Sequence, residues 1–410
     1  MKRKVILGII ILLIINGYHL IAQMTVSGIL DSSVAVRAGA GDAPAFSYGV
    51  EEYANLRMQA KIRDVAAVFG AVNFIAAAGD YAANAKQMTD MLILLGQTHN
   101  GVSTTPYIDG QNYIAGFELE RLYFRLNGEA VGFDGGLLRL PFGYGQVWGS
   151  SDFLNPKNPL KPDARPRAVL GAGLFWYPVD SLKLLGFGAA PRDPFSRSGE
   201  GGLVGLSIDQ HWDKASVQAL YSFESPNDGA RSGVHRAGLS VKADVEVGLV
   251  MDALYTYNHE AGTEIDGLSL SMGADYSFFD GDLIVLAEYL YNGETSSTAL
   301  GYGGSFSRNN YLYTGATWRF NDFTTMGVVL ISGFDDISFT PVISLNHDLF
   351  QGAALSVSAQ IPLDRDLFSA DGRRGELGPL PPDELQPLFP VTGERIGRYF
   401  DCSVKLRLRF

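Results

Sequence analysis

The chain has one cysteine, Cys402, in 410 residues. An intrachain disulfide is therefore impossible, and no cysteine cluster is present to hold a metal. The six histidines, His19, His99, His211, His235, His259 and His347, are scattered without a His-x-x-x-His spacing, so no zinc set is offered. There is no Gly-x-Ser-x-Gly elbow, and no Ser and His share one strand face in a way that suggests a hydrolase. Gly199, Gly201, Gly202 and Gly205 open a strand rather than a helix, which removes a dinucleotide-binding reading. These absences argue against an enzyme, and no cofactor or metal is expected. After residue 22 no apolar run is long enough for a membrane helix. Positive charge is also scarce: 32 Lys and Arg stand against 44 Asp and Glu, a formal net charge of -12. A nucleic-acid partner does not fit that balance.

What is abundant is glycine (48) and the pair Phe (24) and Tyr (19), in a chain that is 46% hydrophobic. Apolar residues spaced every second position give that content without any long apolar run. The N-terminus is the exception. Lys2, Arg3 and Lys4 precede the apolar stretch 5–15, and a more polar stretch ends at Ala22. This is the pattern of a secretory signal peptide over 1–22, with 23–410 as one exported domain. Leu20 is larger than the small residue usual two before a cut, so the boundary is open by a few residues. No cysteine follows it to carry a lipid.

Strict alternation recurs along the domain. Ala54, Leu56, Met58, Ala60 and Ile62 oppose Asn55, Arg57, Gln59, Lys61 and Arg63. Leu268, Leu270, Met272, Ala274, Tyr276 and Phe278 oppose Ser269, Ser271, Asp275 and Ser277. Side chains of a strand alternate between faces, so each such run has one apolar and one polar side. About eighteen runs of this kind can be placed, or sixteen if 130–141 and 181–190 are not strands. Every second link is tight, as at Asp64, Asn127-Gly128, Asp213 and Asp280-Gly281, while the others are mostly long: 80–111, 142–166 and 362–397 among them. Short turns at one end and long loops at the other mark an all-β, up-and-down antiparallel transmembrane barrel, with periplasmic turns and extracellular loops. Aromatics gather where the two interfaces would lie: Trp176, Trp212, Trp318, Phe320 and Phe323 near short turns, and Tyr221, Tyr255, Tyr311, Tyr313, Phe334 and Phe339 near the other end.

The last eleven residues, 400–410, alternate perfectly and end on Phe410. That ending resembles the C-terminal signal of bacterial outer-membrane barrels, which the barrel assembly machinery reads. The resemblance implies an outer-membrane location, with outer-membrane lipid and that machinery as partners. A second segment, Trp148-Gly149 followed by Asp152-Phe153-Leu154-Asn155-Pro156, is similar to a stretch of porin-like outer-membrane proteins.

Candidate site residues follow from the inward faces. A basic sector is expected from Arg57, Lys61, Arg63, Arg121, Arg125, Arg139, Lys405, Arg407 and Arg409, and inward acids from Glu246, Asp252, Asp275 and Glu288. Charges opposed across a narrow channel sort solutes by charge. Trp148, Asp152 and Asn155, in a proline-stiffened loop, are candidates for contacts at a constriction. Residues 81–97 have helical spacing and could also narrow the pore. The reading is a passive porin-like channel for small hydrophilic solutes, anionic ones among them. Two alternatives remain open: a plugged barrel whose loops bind a host surface or polysaccharide, and a transporter of hydrophobic compounds.

Overall fold

The computed structural model describes residues 22–39, 46–79, 108–109, 113–155, 157, 166, 168–190, 202–225, 233–258, 267–293, 310–334, 338–361, 363 and 399–410. The signal segment apart from Ala22, the segment 81–97 read above for its helical spacing, and nearly all of 362–397 lie outside these residues.

Nineteen strands form one antiparallel sheet that closes on itself. They are β1 (Ala22–Gly39), β2 (Phe46–Ile62), β3 (Ala66–Gly79), β4 (Ile108–Asp109), β5 (Tyr113–Asn127), β6 (Val131–Leu138), β7 (Val169–Val179), β8 (Leu182–Ala189), β9 (Leu203–Trp212) and β10 (Ala215–Glu224). There follow β11 (Val234–Asp244), β12 (Gly248–Asn258), β13 (Leu268–Phe278), β14 (Leu283–Asn292), β15 (Asn310–Asn321), β16 (Thr324–Gly333), β17 (Ser338–Phe350), β18 (Ala353–Gln360) and β19 (Tyr399–Arg409). Eighteen make the ring. The two-residue β4 pairs only with β5, while β3 pairs with β5 directly. The segments 130–141 and 181–190 do contribute strands, so the sixteen-strand count is excluded. Among the described residues every neighbouring pair is hydrogen-bonded over at least part of its length.

Closure is made by β19, which lies between β18 and β1. On the inner face Arg407 forks onto Asp31, with Nε to Oδ1 and Nη2 to Oδ2 both 2.8 Å. Arg37 pairs with Asp401 at 2.9 Å. At the end of the seam the Phe410 and Gly28 backbones exchange two hydrogen bonds, 2.7 and 3.1 Å. The Phe410 ring lies over Gly28, where a Cβ would collide with it.

The outer surface is apolar because alternate residues of every strand point there. Val204, Leu206 and Ile208 of β9 are more than half exposed, as a face toward lipid requires. The short-turn girdle, Trp176, Trp212, Trp318, Phe320 and Phe323, is exposed as expected. The other girdle needs a correction. Tyr311 is opposite Leu290 and Tyr313 is opposite Glu288, so both belong to the inner face, and Tyr311 is buried. Two site expectations are also corrected. Arg63 and Glu246 sit in turns, outside the strands and exposed, so neither projects from an inner strand face.

Candidate functional site

β6 has eight residues, and its pairing with β5 ends at Leu137 and Leu122 although β5 runs on to Tyr113. Beyond Leu138 the chain leaves the sheet, and Pro141, which lacks an N–H, follows at once. Residues 139–155 then run across the interior and rest on the inner faces of β8 to β16. One half of this segment packs by apolar burial. Leu138, Leu140, Phe142 and Phe153 join Leu185, Phe187, Leu203, Leu220 and Leu254 in one cluster. Its tip packs in a second cluster, Val147 and Trp148 against Leu290, Tyr311 and Ile331.

A loop inside a barrel carries backbone N–H groups that need acceptors. Here the wall's side chains supply them in sequence. Gln218 Oε1 accepts from Gly143 N at 2.7 Å. Asp252 accepts from Tyr144 N at 2.9 Å and Gly145 N at 2.8 Å. Glu288 accepts from Gln146, Val147 and Trp148 N, each at 2.9 Å. Gly143 has φ +80, a conformation that favours glycine, and a Cβ there or at Gly145 would strike the Asp252 carboxylate. Asp275 adds a contact to Gln146 Nε2 at 2.6 Å. The three inward acids therefore hold the segment; they do not stand free across the lumen.

Trp148, Asp152 and Asn155 are buried rather than pore-facing, another correction. Trp148 Nε1 donates to the Glu288 carbonyl at 3.2 Å. Asn155 Oδ1 accepts from Leu140 N at 2.7 Å and ties the two limbs together. Asp152 Oδ1 accepts from Asn155 N at 3.2 Å. Burial pushes the Asp152 carboxyl up to about 8, against opposing contributions from the Phe142 and Asn155 backbones and Lys157, with Asp252 adding a further rise. The docked segment thus keeps a proton that an undocked one, near 3.8, would have lost. Docking is strongest below the lower value and weakens as pH rises through about 8. Single-channel conductance is expected to rise between pH about 6 and about 9 in the wild type and to stay flat in Asp152→Asn. Equal wild-type conductance at both values would contradict this.

The remaining basic residues occupy the other side. Arg57, Ala71 and Arg121 stand in one row across β2, β3 and β5. Arg139, at the root of the segment, donates to Glu120 Oε1 at 2.8 Å. Buried nitrogens of all three arginines, Arg57 Nη2, Arg121 Nε and Arg139 Nε, lack a hydrogen-bond acceptor. A recess of ≈ 270 Å³ lies there, lined by Thr25, Ser27, Arg57, Gln59, Phe69, Arg121 and Tyr123 among others. The other expected bases are placed differently. Arg125 is bidentate on Asp134 at 2.8 and 2.7 Å, and Arg407 is on Asp31. Lys61 and Lys405 keep inner-face positions opposite Gln23 and Ser33, and Arg409 lies opposite Ile29 at the exposed end of the seam. Sequence reading missed Glu120, Gln218, Asp209 and Asn55. For Glu120 a signal existed: outward apolar positions slip from Phe117 and Leu119 to Leu122, Phe124 and Leu126, the mark of a bulge.

No protein-family model and no curated protein matches the chain. Solved structures do. Pseudomonas aeruginosa OccK5 (OpdH) is similar at TM-score 0.54 and 9% identity, covering 95% of this chain and 98% of its own. Acinetobacter baumannii OccAB4 is similar at 0.53 and 12%, with the same coverages. So is P. aeruginosa OccK2 (OpdF), solved in complex with glucuronate, at 0.53 and 9%, covering 95% and 98%. At these identities the likeness is one of fold: a closed antiparallel β-barrel.

Proposed function

We propose that this chain is an outer-membrane channel for passive diffusion of small hydrophilic solutes, with a preference for anions. The observation that carries the reading is the division of the interior. The inward segment covers the acidic wall and uses its carboxylates. The wall left beside it holds the Arg57 and Arg121 row, and both arginines line the recess on that side. A narrow water-filled passage with low-dielectric walls amplifies such a field. The likeness to a barrel that was solved with glucuronate, a small carboxylate, is consistent with this.

The test is the reversal potential of refolded protein in a planar bilayer under a tenfold KCl gradient. The wild type should prefer chloride, and Arg57→Ala with Arg121→Ala should reduce that preference roughly threefold or more. A cation-selective wild type would refute the anion reading. A barrel that never conducts would favour the plugged, surface-binding alternative.

A further inference from the structure

We propose that Glu120 is the positioning residue of the basic sector, fixing three arginines from one point and lowering their summed charge. The assignment rests on the anion-passage reading above and says what sets its selectivity.

The device is a β-bulge. Between β3 and β5 the register runs Val72 with Leu119, then Ala71 with Arg121, so the register skips Glu120. In an unbroken strand Glu120 and Arg121 would face opposite sides. The extra residue turns both toward the lumen, as bulges re-aim side chains. Inward parity is even before it, at Glu118 and Glu120, and odd after it, at Arg121, Tyr123 and Arg125.

Glu120 is 6% exposed, and three groups converge on it. Arg139 Nη2 donates to Oε1 at 2.8 Å. Arg121 Nε lies 3.5 Å from the same oxygen. Asn55 Nδ2 donates to Oε2 at 2.6 Å, and Asn55 Oδ1 in turn accepts from Arg57 Nε at 2.7 Å. One carboxylate thus reaches Arg139 and Arg121 directly and Arg57 through a single amide. β2, β5 and the root of the inward segment are locked together at this point. A buried carboxylate with several donors is strongly held, so the long arginine side chains lose their rotamer freedom before any solute arrives.

Two substitutions separate position from charge. Glu120→Gln removes one negative charge but keeps the shape and one acceptor oxygen. Glu120→Ala removes the same charge and leaves no acceptor. The expected result is a roughly twofold rise in chloride-over-potassium permeability for the Gln variant. The Ala variant should fall below the Gln variant, with noisier current, because its arginines have no common anchor. As a second readout, half-block of the KCl current by sodium glucuronate should need at least fivefold more glucuronate in the Ala variant, and stay within about twofold of wild type in the Gln variant. A purely structural role would lower the yield of folded barrel without this split. Variants matching wild-type selectivity, or Gln and Ala shifting it equally, would overturn the assignment. If the wild type itself shows no anion preference, the channel reading fails first, and the two failures are thereby distinct.

Discussion

Glu288→Ala is expected to free the tip of the inward segment and raise single-channel conductance roughly twofold, because in the proposed channel that segment sets the width of the passage. Glu288 is fully buried and accepts three consecutive backbone N–H groups, those of Gln146, Val147 and Trp148. Removing the carboxylate leaves three buried donors unmatched, at about 1–3 kcal/mol each. Asp252, the next carboxylate along the segment, already serves Tyr144 and Gly145. Glu288→Gln should give a smaller effect of the same sign, because its amide nitrogen would face a backbone N–H. The barrel ladder does not pass through this contact, so the variants should still fold. Conductance, together with protease cleavage inside 143–148, reads the release. A wild-type conductance in Glu288→Ala would mean that the apolar clusters alone hold the segment.

Trp148→Ala should undock the same tip by a different route. Trp148 is fully buried, and its ring lies 5.6 Å from that of Tyr311 within a cluster that includes Leu290 and Ile331. Replacing a buried tryptophan by alanine costs about 3–5 kcal/mol in packing and cavity terms. The loss falls on docking rather than on the sheet. Glu288 and Trp148 touch, through both Trp148 N and Nε1, so their effects should not add: the double variant should conduct little more than the stronger single one. Additive conductance changes would show that the two residues hold separate parts of the segment.

The inner faces were legible because a strand's period of two assigns each side chain to lipid or lumen before any neighbour is known. Asp252, Asp275, Glu288, Arg57 and Arg121 were all assigned inward on that ground, and the three acids are the ones that bind the segment at Gly145 and Gln146. The rule fails where the chain is not a regular strand. Arg63 and Glu246 fell in turns, because a turn residue keeps the alternating pattern on paper but not in space. Tyr311 and Tyr313 were read as girdle residues from their place near a strand end, although the face, set by the register with β14, was the deciding fact.

The sequence by itself determined the class of the molecule: alternation and tight turns admit a membrane barrel and little else, since local chemistry alone sets them. What only the tertiary structure decided is the use of the interior. Glu288 meets Trp148 across 140 positions of chain, and Asp252 meets Gly145 across 107. No local pattern encodes such a meeting. It arises because β6 stops short, the chain turns inward, and its unpaired N–H groups must find acceptors on whichever wall closure has brought opposite. The acids that looked like one pole of a field are thereby the anchors of the inward segment, and Arg57 and Arg121 line the recess between β2 and β5.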